Sequence, residues 1–247
     1  MNPRGLLKGG DETLDPFYHG RVRVLQKRKG YRFSVDAPLL ADFIRTEASD
    51  EILELGAGSG VISLLLSIKP FRHITAVEVQ ADLADLARRN VALNGLEDRV
   101  RIVEADFRTF DPGRTFDVVF SNPPYIRGRG GQISRSEEKS VAKHEIKCDI
   151  HDIMRKTRTF LKEDGRAYFI YPEKRRKDLI DAVNVHDLKL KTVRPVRPRE
   201  DEAANLFLAE CDRVSPRTRV LPPFILYGGD GKYTAEAEKV FSGRTAP

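Results

Sequence analysis

The residues best suited to chemistry form the segment S-N-P-P-Y, which follows a mostly apolar run. Pro123 and Pro124 restrict the backbone and remove two N–H donors. The carbonyl groups beside them and the side-chain oxygen of Asn122 are then left as hydrogen-bond acceptors, and two acceptors can hold both hydrogens of a planar amino group. Tyr125 can stack on a flat base or amide. The segment predicts a site for a planar nitrogen, although on its own it could also be only a rigid turn.

A second candidate is the glycine-rich stretch E-L-G-A-G-S-G, Glu54–Gly60, which follows the apolar residues 52–55. Gly56 permits a backbone turn, and Gly58 removes a side chain where a ligand has to approach closely. Gly60 lets the following helix pack near the strand. Turns of this kind also bind NAD and other nucleotides, or no ligand at all, so the stretch alone leaves the ligand open.

Acidic residues follow the next two predicted strands. Glu78 ends one of them and can accept hydrogen bonds from both hydroxyls of a ribose. Asp106 comes just after the other and can hydrogen-bond the amino group of an adenine, with Phe107 beside the ring. Glu54, at the mouth of the glycine-rich turn, suits the ammonium of a methionine moiety better than it suits a phosphate. Together these residues predict one ligand that combines adenosine with methionine.

Predicted strands and helices alternate from Glu51 onwards, which is typical of an α/β fold with a doubly wound, mainly parallel, Rossmann-like sheet. In such sheets ligands bind beyond the carboxyl ends of the strands. The strands are predicted at 52–55, 73–79, 100–104, 116–120, 166–171, 188–193 and 205–211, and the helices at 60–68, 81–93, 150–161 and 174–185, with an earlier helix that Ser34 or Asp36 can cap.

Three parts of the chain are expected. Residues 1–35 form a basic N-terminal β-hairpin extension, with a strand at Arg21–Leu25 and a turn at Lys29–Gly30. Residues 36–213 form the catalytic domain that binds the cofactor. Residues 214–247 form an extended tail that packs on this domain and carries no chemistry.

Composition narrows the class of protein. The chain has 247 residues, of which 40% are hydrophobic and 32% charged, as in ordinary globular proteins. No apolar run has the length of a signal peptide or a membrane span. The cysteines, Cys148 and Cys211, show no metal-type pairing and favour a reducing compartment. We expect a cytoplasmic protein with no membrane partner and no metal, and the net charge of +6 is compatible with a polyanionic partner.

Taken together, residues 31–211 resemble a class I S-adenosylmethionine-dependent methyltransferase of the kind that modifies amino groups. The resemblance implies a seven-stranded sheet whose last strand is antiparallel, and S-adenosyl-L-methionine as the cofactor. It also implies the following roles, with Asn122 in both the acceptor set and the cofactor set: Glu54, Gly56 and Gly58 at the methionine, Glu78 at the ribose, Asp106 and Phe107 at the adenine, and Asn122, Pro123, Pro124 and Tyr125 at the methyl acceptor.

Two segments make the resemblance more specific. The stretch Y-R-F-S-V-D-A-P-L-L-A at Tyr31–Ala41 and the stretch A-K-H-E-I-K-C at Ala142–Cys148 are similar to bacterial enzymes that methylate the exocyclic amino group of the adenine just 3′ of the anticodon in valine tRNA. This likeness implies a tRNA substrate. It also implies that Phe33, Ser34 and Asp36 close over the cofactor.

Alternative functions remain open at this point. In the tRNA hypothesis the basic hairpin, Arg127–Arg129 and Arg194–Arg199 anchor phosphates. The first alternative is a glutamine amide methyltransferase for release factors, which shares Asn-Pro-Pro-Tyr but places a helical domain before the cofactor fold. A DNA adenine methyltransferase is less favoured, because no target-recognition domain is visible. The third is an RNA-binding protein that retains the fold without the activity.

Overall fold

The computed structural model describes residues 9–28, 34–123 and 149–243. Two antiparallel strands form a separate N-terminal hairpin, and nine strands form the main sheet. The strands are β1 (Glu12–Phe17), β2 (Val22–Lys27), β3 (Glu51–Leu55), β4 (His73–Glu78), β5 (Val100–Glu104), β6 (Phe116–Ser121), β7 (Leu161–Pro172), β8 (Lys189–Arg197), β9 (Leu206–Asp212), β10 (Arg219–Val220) and β11 (Phe224–Ile225). The α-helices of these ranges are α1 (Asp36–Phe43), α2 (Val61–Leu66), α3 (Ala81–Leu93), α4 (Ile150–Phe160), α5 (Arg176–Val185) and α6 (Ala235–Ser242).

The main sheet has the strand order β10-β8-β9-β7-β6-β3-β4-β5, and β11 also pairs with β8. Strand β9 runs antiparallel to both β7 and β8, and every other pairing is parallel. The seven strands β3–β9 therefore form the expected seven-stranded, mainly parallel sheet, with its last strand reversed. The order changes direction between β3 and β6, and this switch point is where α/β sheets bind ligands.

Helices cover both faces of the sheet because its central strands are apolar on both sides. Successive strand residues point to opposite faces. Ile52 accordingly belongs to the core cluster that contains α1 and α2, whereas Leu53 and Leu55 belong to the cluster that contains α4 and α5. Burial on two sides explains why these strands appear in the sequence as continuous apolar runs and not as alternating ones.

The N-terminal hairpin is present, but its turn lies elsewhere than expected. Strand β1 at Glu12–Phe17 pairs with β2 at Val22–Lys27, so the partner strand precedes β2 and the chain reverses at Tyr18–Arg21. Tyr18 and His19 have positive φ there, without a glycine signal at either position. The sequence of β1 does not look like a strand, because it contains Asp15 and Pro16 and both residue types are rare in strands. The expected turn at Lys29–Gly30 lies outside the described residues.

The C-terminal segment contains regular structure where an extended tail was expected. Strands β10 and β11 add to the edge strand β8, and α6 follows with Thr234 as its N-cap. Ala237 and Val240 of α6 join the same core cluster as α1 and α2. The prolines and glycines of this segment suggested an extended tail. They break it into short pieces that the edge of β8 and the surface of α1 can order.

The C-terminus of α1 is capped by a lysine from another part of the chain. The Nζ of Lys69 donates to the carbonyl oxygens of Ala41, Asp42 and Ile44, each at 2.7 Å. These carbonyls lie at the end of α1, where helices leave acceptors without intrahelical donors and where the helix dipole favours a cation. Burial lowers the pKa of Lys69 to about 8.

Within the described ranges, no helix combines the length and apolarity needed to cross a bilayer.

We expect Lys69→Met to lower the free energy of unfolding by about 2 to 4 kcal/mol, because three carbonyls in a partly buried environment lose a charged donor. Urea denaturation followed by circular dichroism measures this change. Lys177→Met is the matched control, since the Lys177 ammonium pairs with Asp181 on the exposed surface of α5. The control should unfold at the wild-type midpoint. Wild-type stability of Lys69→Met would show that the cap contributes nothing.

Candidate active site

The predicted site residues lie at one edge of four adjacent strands. The glycine-rich turn follows β3, Glu78 ends β4, Asp106 comes two residues after β5, and Asn122 follows β6. Because β5, β4, β3 and β6 are neighbours and parallel, their carboxyl ends meet at the same edge of the sheet. Leu55 pairs with Val77 and Glu54 pairs with Phe120. The three strands β3, β4 and β6 therefore end at nearly the same height in the sheet.

The glycine-rich turn is held by the end of β4. The backbone N–H groups of Gly56 and Ala57 both donate to the carbonyl oxygen of Val77 at 2.9 Å. Gly56, Gly58 and Gly60 all have positive φ, which other residues adopt only with strain. At Gly60 an added Cβ would lie 3.2 Å from the Cβ of Ala87. The close approach that requires this glycine is thus to α3, and not to the strand as the sequence suggested.

Glu54 is a buried carboxyl group at the base of the turn. Only 1% of the residue is exposed, and the Ser63 hydroxyl donates to its Oε2 at 2.5 Å. Burial, together with the negative charge of Glu78, raises the pKa of Glu54 to about 8. A carboxyl group in this position ionises readily only when a cation arrives beside it. A ligand that carries an ammonium group satisfies that requirement.

Glu78 is built into the turn by its own carboxylate. Its Oε2 accepts the N–H of Gly58 at 2.7 Å, and its Oε1 accepts the N–H of Gln80 at 2.9 Å. Burial raises the pKa of Glu78, and these two backbone donors oppose the rise. A carboxylate oxygen can accept more than one hydrogen bond, so a hydroxyl donor of a ligand can approach it as well. The carboxylate therefore both braces the turn and offers acceptors beside it.

Asp106 has a partner that the sequence did not suggest. The Arg108 guanidinium donates to Oδ2 of Asp106 at 2.6 Å through Nη2 and at 2.9 Å through Nε. The Arg108 backbone N–H also donates to Oδ1 at 2.9 Å. These hydrogen bonds lower the pKa of Asp106, so it is ionised at neutral pH. Phe107 is half-buried and packs against the core cluster of α4 and α5.

The Ser121 hydroxyl ties the end of β6 to the glycine-rich turn. The buried Ser121 Oγ donates to the carbonyl oxygen of Leu55 at 2.7 Å, and Leu55 directly precedes Gly56. Asn122 is half-buried and Pro123 is buried. The acceptor-rich turn and the glycine-rich turn thus begin side by side. Pro124 and Tyr125 lie outside the described residues.

The remaining predicted cofactor residues lie around the start of α1. Asp36 is the first residue of this helix and is buried, whereas Ser34 is exposed. The Ser34 Oγ accepts the N–H of Asp36 at a long 3.4 Å. Phe33 lies outside the described residues.

Several basic residues proposed as phosphate anchors are occupied within the protein. The Arg194 guanidinium donates to Glu236 at 2.6 Å and to the carbonyl of Pro222 at 3.2 Å, so it holds the C-terminal segment. The side chain of Arg199 pairs with Glu202 at 2.9 Å. Arg194 thus has a structural role in holding the C-terminal segment, and a contact between Arg194 and RNA stays a prediction. Residues 127–129 lie outside the described ranges.

Among the residues that the structure describes, no group of three or more His, Cys, Asp or Glu side chains is placed to hold a metal ion.

The comparison with known families decides the class of protein. The profile of the family described as "methyltransferase small domain" matches residues 32–180, which is more than half of the chain. The chain belongs to this methyltransferase family. S-adenosylmethionine is accordingly the methyl donor, and the acidic, glycine-lined edge of the sheet fits it: a buried acid for an ammonium and two further carboxylates for hydroxyl and amino donors.

Curated relatives of this methyltransferase include tRNA-modifying enzymes. It is 29% identical over 182 residues to the tRNA1(Val) (adenine(37)-N6)-methyltransferase of Aliivibrio fischeri, covering 73% of this chain and 77% of that one. It is 25% identical over 218 residues to the enzyme of the same name from Dyadobacter fermentans, covering 87% of this chain and 90% of that one.

Solved structures share the fold of this methyltransferase. A structure described as a predicted O-methyltransferase from Agrobacterium tumefaciens has a TM-score of 0.68 at 22% identity, covering 86% of this chain and 98% of that one. A geranyl diphosphate C-methyltransferase from Streptomyces coelicolor, solved with S-adenosyl-L-homocysteine, has a TM-score of 0.55 at 16% identity, covering 72% of this chain and 78% of that one.

Sequence reasoning missed the residues that support the site from behind. Ser63 and Ser121 hydrogen-bond groups beside the glycine-rich turn, and Arg108 hydrogen-bonds Asp106, as described above. Asn90 of α3 is a fourth, since its Nδ2 donates to the carbonyl of Ser59 at 2.9 Å. The one available signal was an uncharged polar residue at a position buried by periodicity, which Asn90 shows on the apolar face of α3.

Replacing Gly60 tests the close approach to α3. Gly60→Ala should lower the free energy of unfolding by about 1 to 2 kcal/mol through its positive φ and by about 1 to 3 kcal/mol more through contact with Ala87. It should also weaken cofactor binding, because the turn has to shift. Urea denaturation and isothermal titration calorimetry with S-adenosylhomocysteine measure the two effects.

Gly95→Ala is the matched control for this substitution. Gly95 also has positive φ, but an added Cβ would meet nothing within 4 Å. It should show the backbone cost alone and bind the cofactor product as the wild type does. Equal stability losses in the two variants would contradict the role assigned to Ala87.

Proposed function

We propose that this protein transfers a methyl group from S-adenosylmethionine to the exocyclic N6 amino group of an adenine in tRNA, next to the anticodon of a valine tRNA. The observation that carries the proposal is the hydrogen bond from Ser121 to Leu55, which sets Asn122 and Pro123 beside the glycine-rich turn. Its curated relatives carry the name of this activity. A tRNA substrate also favours a cytoplasmic location.

Asn122 and the proline turn bind the amino group of the acceptor. The Asn122 side-chain oxygen is one acceptor, and the carbonyl groups of the turn supply others, with no N–H at Pro123 to compete. A nitrogen that donates both hydrogens is held in place with its lone pair free. Acceptors fixed before the reaction stabilise the positive charge that develops on this nitrogen. They also limit the approach of the nitrogen to one direction.

The chemistry needs no acid or base of unusual strength. When bound, S-adenosylmethionine supplies a methyl group on a positively charged sulfur, which leaves as a thioether. The nitrogen–carbon bond forms as the sulfur–carbon bond breaks, and the acceptor nitrogen then releases one proton to water. Asn122 therefore positions the nitrogen and carries no proton itself. In this proposal Tyr125 stacks on the adenine.

Three acidic residues divide the cofactor between them in this proposal. Glu54 binds the methionine ammonium, with Gly56 and Gly58 beside it. Glu78 accepts from the ribose hydroxyls, and its backbone donors hold the carboxylate in place. Asp106 accepts from the adenine amino group, and Arg108 holds its carboxylate in a fixed orientation. The remaining contacts proposed are Phe107 beside the adenine, Asn122 near the cofactor, and Phe33, Ser34 and Asp36 over it.

The division of the chain follows from these roles. Residues 1–35 serve as a basic extension, residues 36–213 as the catalytic domain and residues 214–247 as a segment packed on it.

The target adenine has to leave its stack to reach the turn after β6. The relatives reported above do not favour the release-factor alternative.

Asn122→Ala tests the catalytic assignment. We expect the rate of methylation to fall by about two to three orders of magnitude, since a fixed acceptor for the developing charge is lost. The affinity for S-adenosylhomocysteine should stay within about twofold, because the Glu54 and Glu78 contacts remain. A methyl-incorporation assay and isothermal titration calorimetry separate the two quantities.

Asn184→Ala is the control for Asn122→Ala, because Asn184 is exposed on α5. It should be as active as the wild type. Methylation by Asn122→Ala at the wild-type rate would remove Asn122 from the mechanism.

The raised pKa of Glu54 predicts a pH-dependent affinity for the cofactor. Binding of an ammonium requires the ionised carboxylate, and a pKa of about 8 leaves it mostly protonated at neutral pH. The ionised fraction rises about tenfold per unit below the pKa. The dissociation constant of S-adenosylhomocysteine should therefore fall about tenfold from about pH 6 to about pH 7, with uptake of the ammonium and release of a proton.

Titrations in buffers of different ionisation enthalpy count the released proton. Glu54→Gln should remove both the proton release and the pH dependence. A dissociation constant that is independent of pH in the wild type would show that Glu54 does not meet the ammonium.

The acceptor is identified by offering several classes at once. The protein is incubated with isotopically labelled S-adenosylmethionine and, separately, with fractionated tRNA, release factor and duplex DNA. The product is then digested and analysed by mass spectrometry. N6-methyladenosine from valine tRNA supports the proposal, whereas label in methylglutamine or in DNA would replace it.

A further inference from the structure

The N-terminal hairpin is held on α3 by two asparagines that imitate a neighbouring strand. Asn94 accepts the N–H of Arg23 at 2.9 Å and donates to its carbonyl at 2.7 Å. Asn90, one helical turn earlier, accepts the N–H of Leu25 at 2.6 Å and donates to its carbonyl at 3.1 Å. The two side chains thus pair with alternate residues on the free edge of β2. This edge would otherwise leave its backbone groups unsatisfied against α3.

Apolar packing and an ion pair strengthen this docking. Leu25 is fully buried in a cluster with Leu86 and Leu93 of α3. The Arg89 guanidinium donates to both carboxylate oxygens of Glu12, at 2.7 and 2.9 Å, and the pair is nearly buried. The hairpin is therefore part of the folded unit and not a loosely attached arm.

Asn90 differs from Asn94 in one contact. The second hydrogen of its Nδ2 goes to the carbonyl oxygen of Ser59, at 2.9 Å. Ser59 lies between Gly58 and Gly60 in the turn that the cofactor uses, and Asn90 is completely buried. Its side chain is thus shared between the hairpin and the cofactor turn, and neither element can shift without changing a buried hydrogen bond of the other.

We infer that Asn90 is a positioning residue that couples the N-terminal hairpin to the cofactor turn, so that hairpin docking and cofactor binding stabilise each other. Cofactor contacts at Gly58 fix the peptide groups of the turn and with them the Ser59 carbonyl. That carbonyl orients the Asn90 amide, and the oriented amide holds Leu25. By linkage, a docked hairpin must raise cofactor affinity by the same factor that the cofactor stabilises docking.

The inference assigns the hairpin a role at the cofactor site. Gly58 also donates to Glu78, so the turn is braced on one side by β4 and on the other by Asn90. The chain adopts left-handed conformations at Gly56, Gly58 and Gly60, and such a turn needs external support to keep one conformation. The role depends on cofactor binding at this turn and not on the nature of the methyl acceptor.

Amide exchange at two residues measures the coupling directly. The Leu25 N–H reports the bond to Asn90, and the Arg23 N–H reports the bond to Asn94. In the full-length wild type, saturating S-adenosylhomocysteine should slow exchange of the Leu25 amide at least about fivefold, the lower end of typical coupling between sites. Exchange that is unchanged by this ligand would overturn the inference, and this measurement requires no variant.

Asn90→Asp tests the shared side chain. It keeps the size and the acceptor for the Leu25 N–H but, when ionised, has no hydrogen to give to the carbonyl of Leu25 or of Ser59. The dissociation constant of S-adenosylhomocysteine should rise at least about fivefold, and the ligand should no longer slow Leu25 exchange. A residue that only stabilised the fold would speed basal exchange and leave the response to the ligand intact. That pattern, or wild-type affinity, would contradict the coupling.

Asn94→Ala is the matched control on the same helix. It removes the Arg23 contacts but leaves the bond between Asn90 and Ser59 in place. Exchange of the Arg23 amide should become faster, the Leu25 amide should still respond to S-adenosylhomocysteine, and the dissociation constant should stay within about twofold of wild type. If Asn94→Ala weakened the ligand as much as Asn90→Asp, the effect would come from general loosening of the hairpin, and the specific role of Asn90 would be lost.

Discussion

The parallel pairing of β3 with β4 and β6 is the constraint on which the site depends. Parallel strands end at the same edge of a sheet, and the backbone groups beyond their last ladder bonds need partners there. Val77 accepts two N–H groups of the glycine-rich turn, and Leu55 accepts the hydroxyl of Ser121. The strand ends thereby satisfy one another, and the cofactor turn and the acceptor turn are set side by side as a result.

Carboxyl groups determine the electrostatics at the carboxyl ends of these strands. Glu54 and Glu78 are buried and close enough for the charge of Glu78 to raise the pKa of Glu54. Burial opposes ionisation of both carboxyl groups, and the charge of Glu78 opposes ionisation of Glu54 further, so a cationic ligand favours release of a proton from Glu54. Asp106 differs, because Arg108 neutralises it from outside the core. A ligand with an ammonium at one end and hydroxyl and amino donors at the other matches this arrangement of carboxyl groups.

Much of the architecture was accessible from the sequence, because its signals are local. Continuous apolar runs indicated the strands buried on both faces, and Asn94-Gly95 indicated the end of α3. The hairpin turn and α6 were not accessible in this way. Tyr18 and His19 adopt positive φ, and Tyr18 packs against Gly243, which lies far along the chain, so no local rule carries that information. The ion pair between Arg194 and Glu236 was equally inaccessible from the sequence, since Glu236 lies on a different element.

The sequence by itself determined the class of chemistry, through residue types that only a few ligands can use: glycines at a strand-to-helix turn, acids after the next two strands and Asn-Pro-Pro-Tyr after the fourth. Only the tertiary structure decided what holds these residues in place. Ser63, Asn90 and Ser121 act through hydrogen bonds to groups that strand order and helix packing bring near. A polar side chain has no detectable function in a sequence until folding has chosen its partner, and desolvation makes that partner necessary.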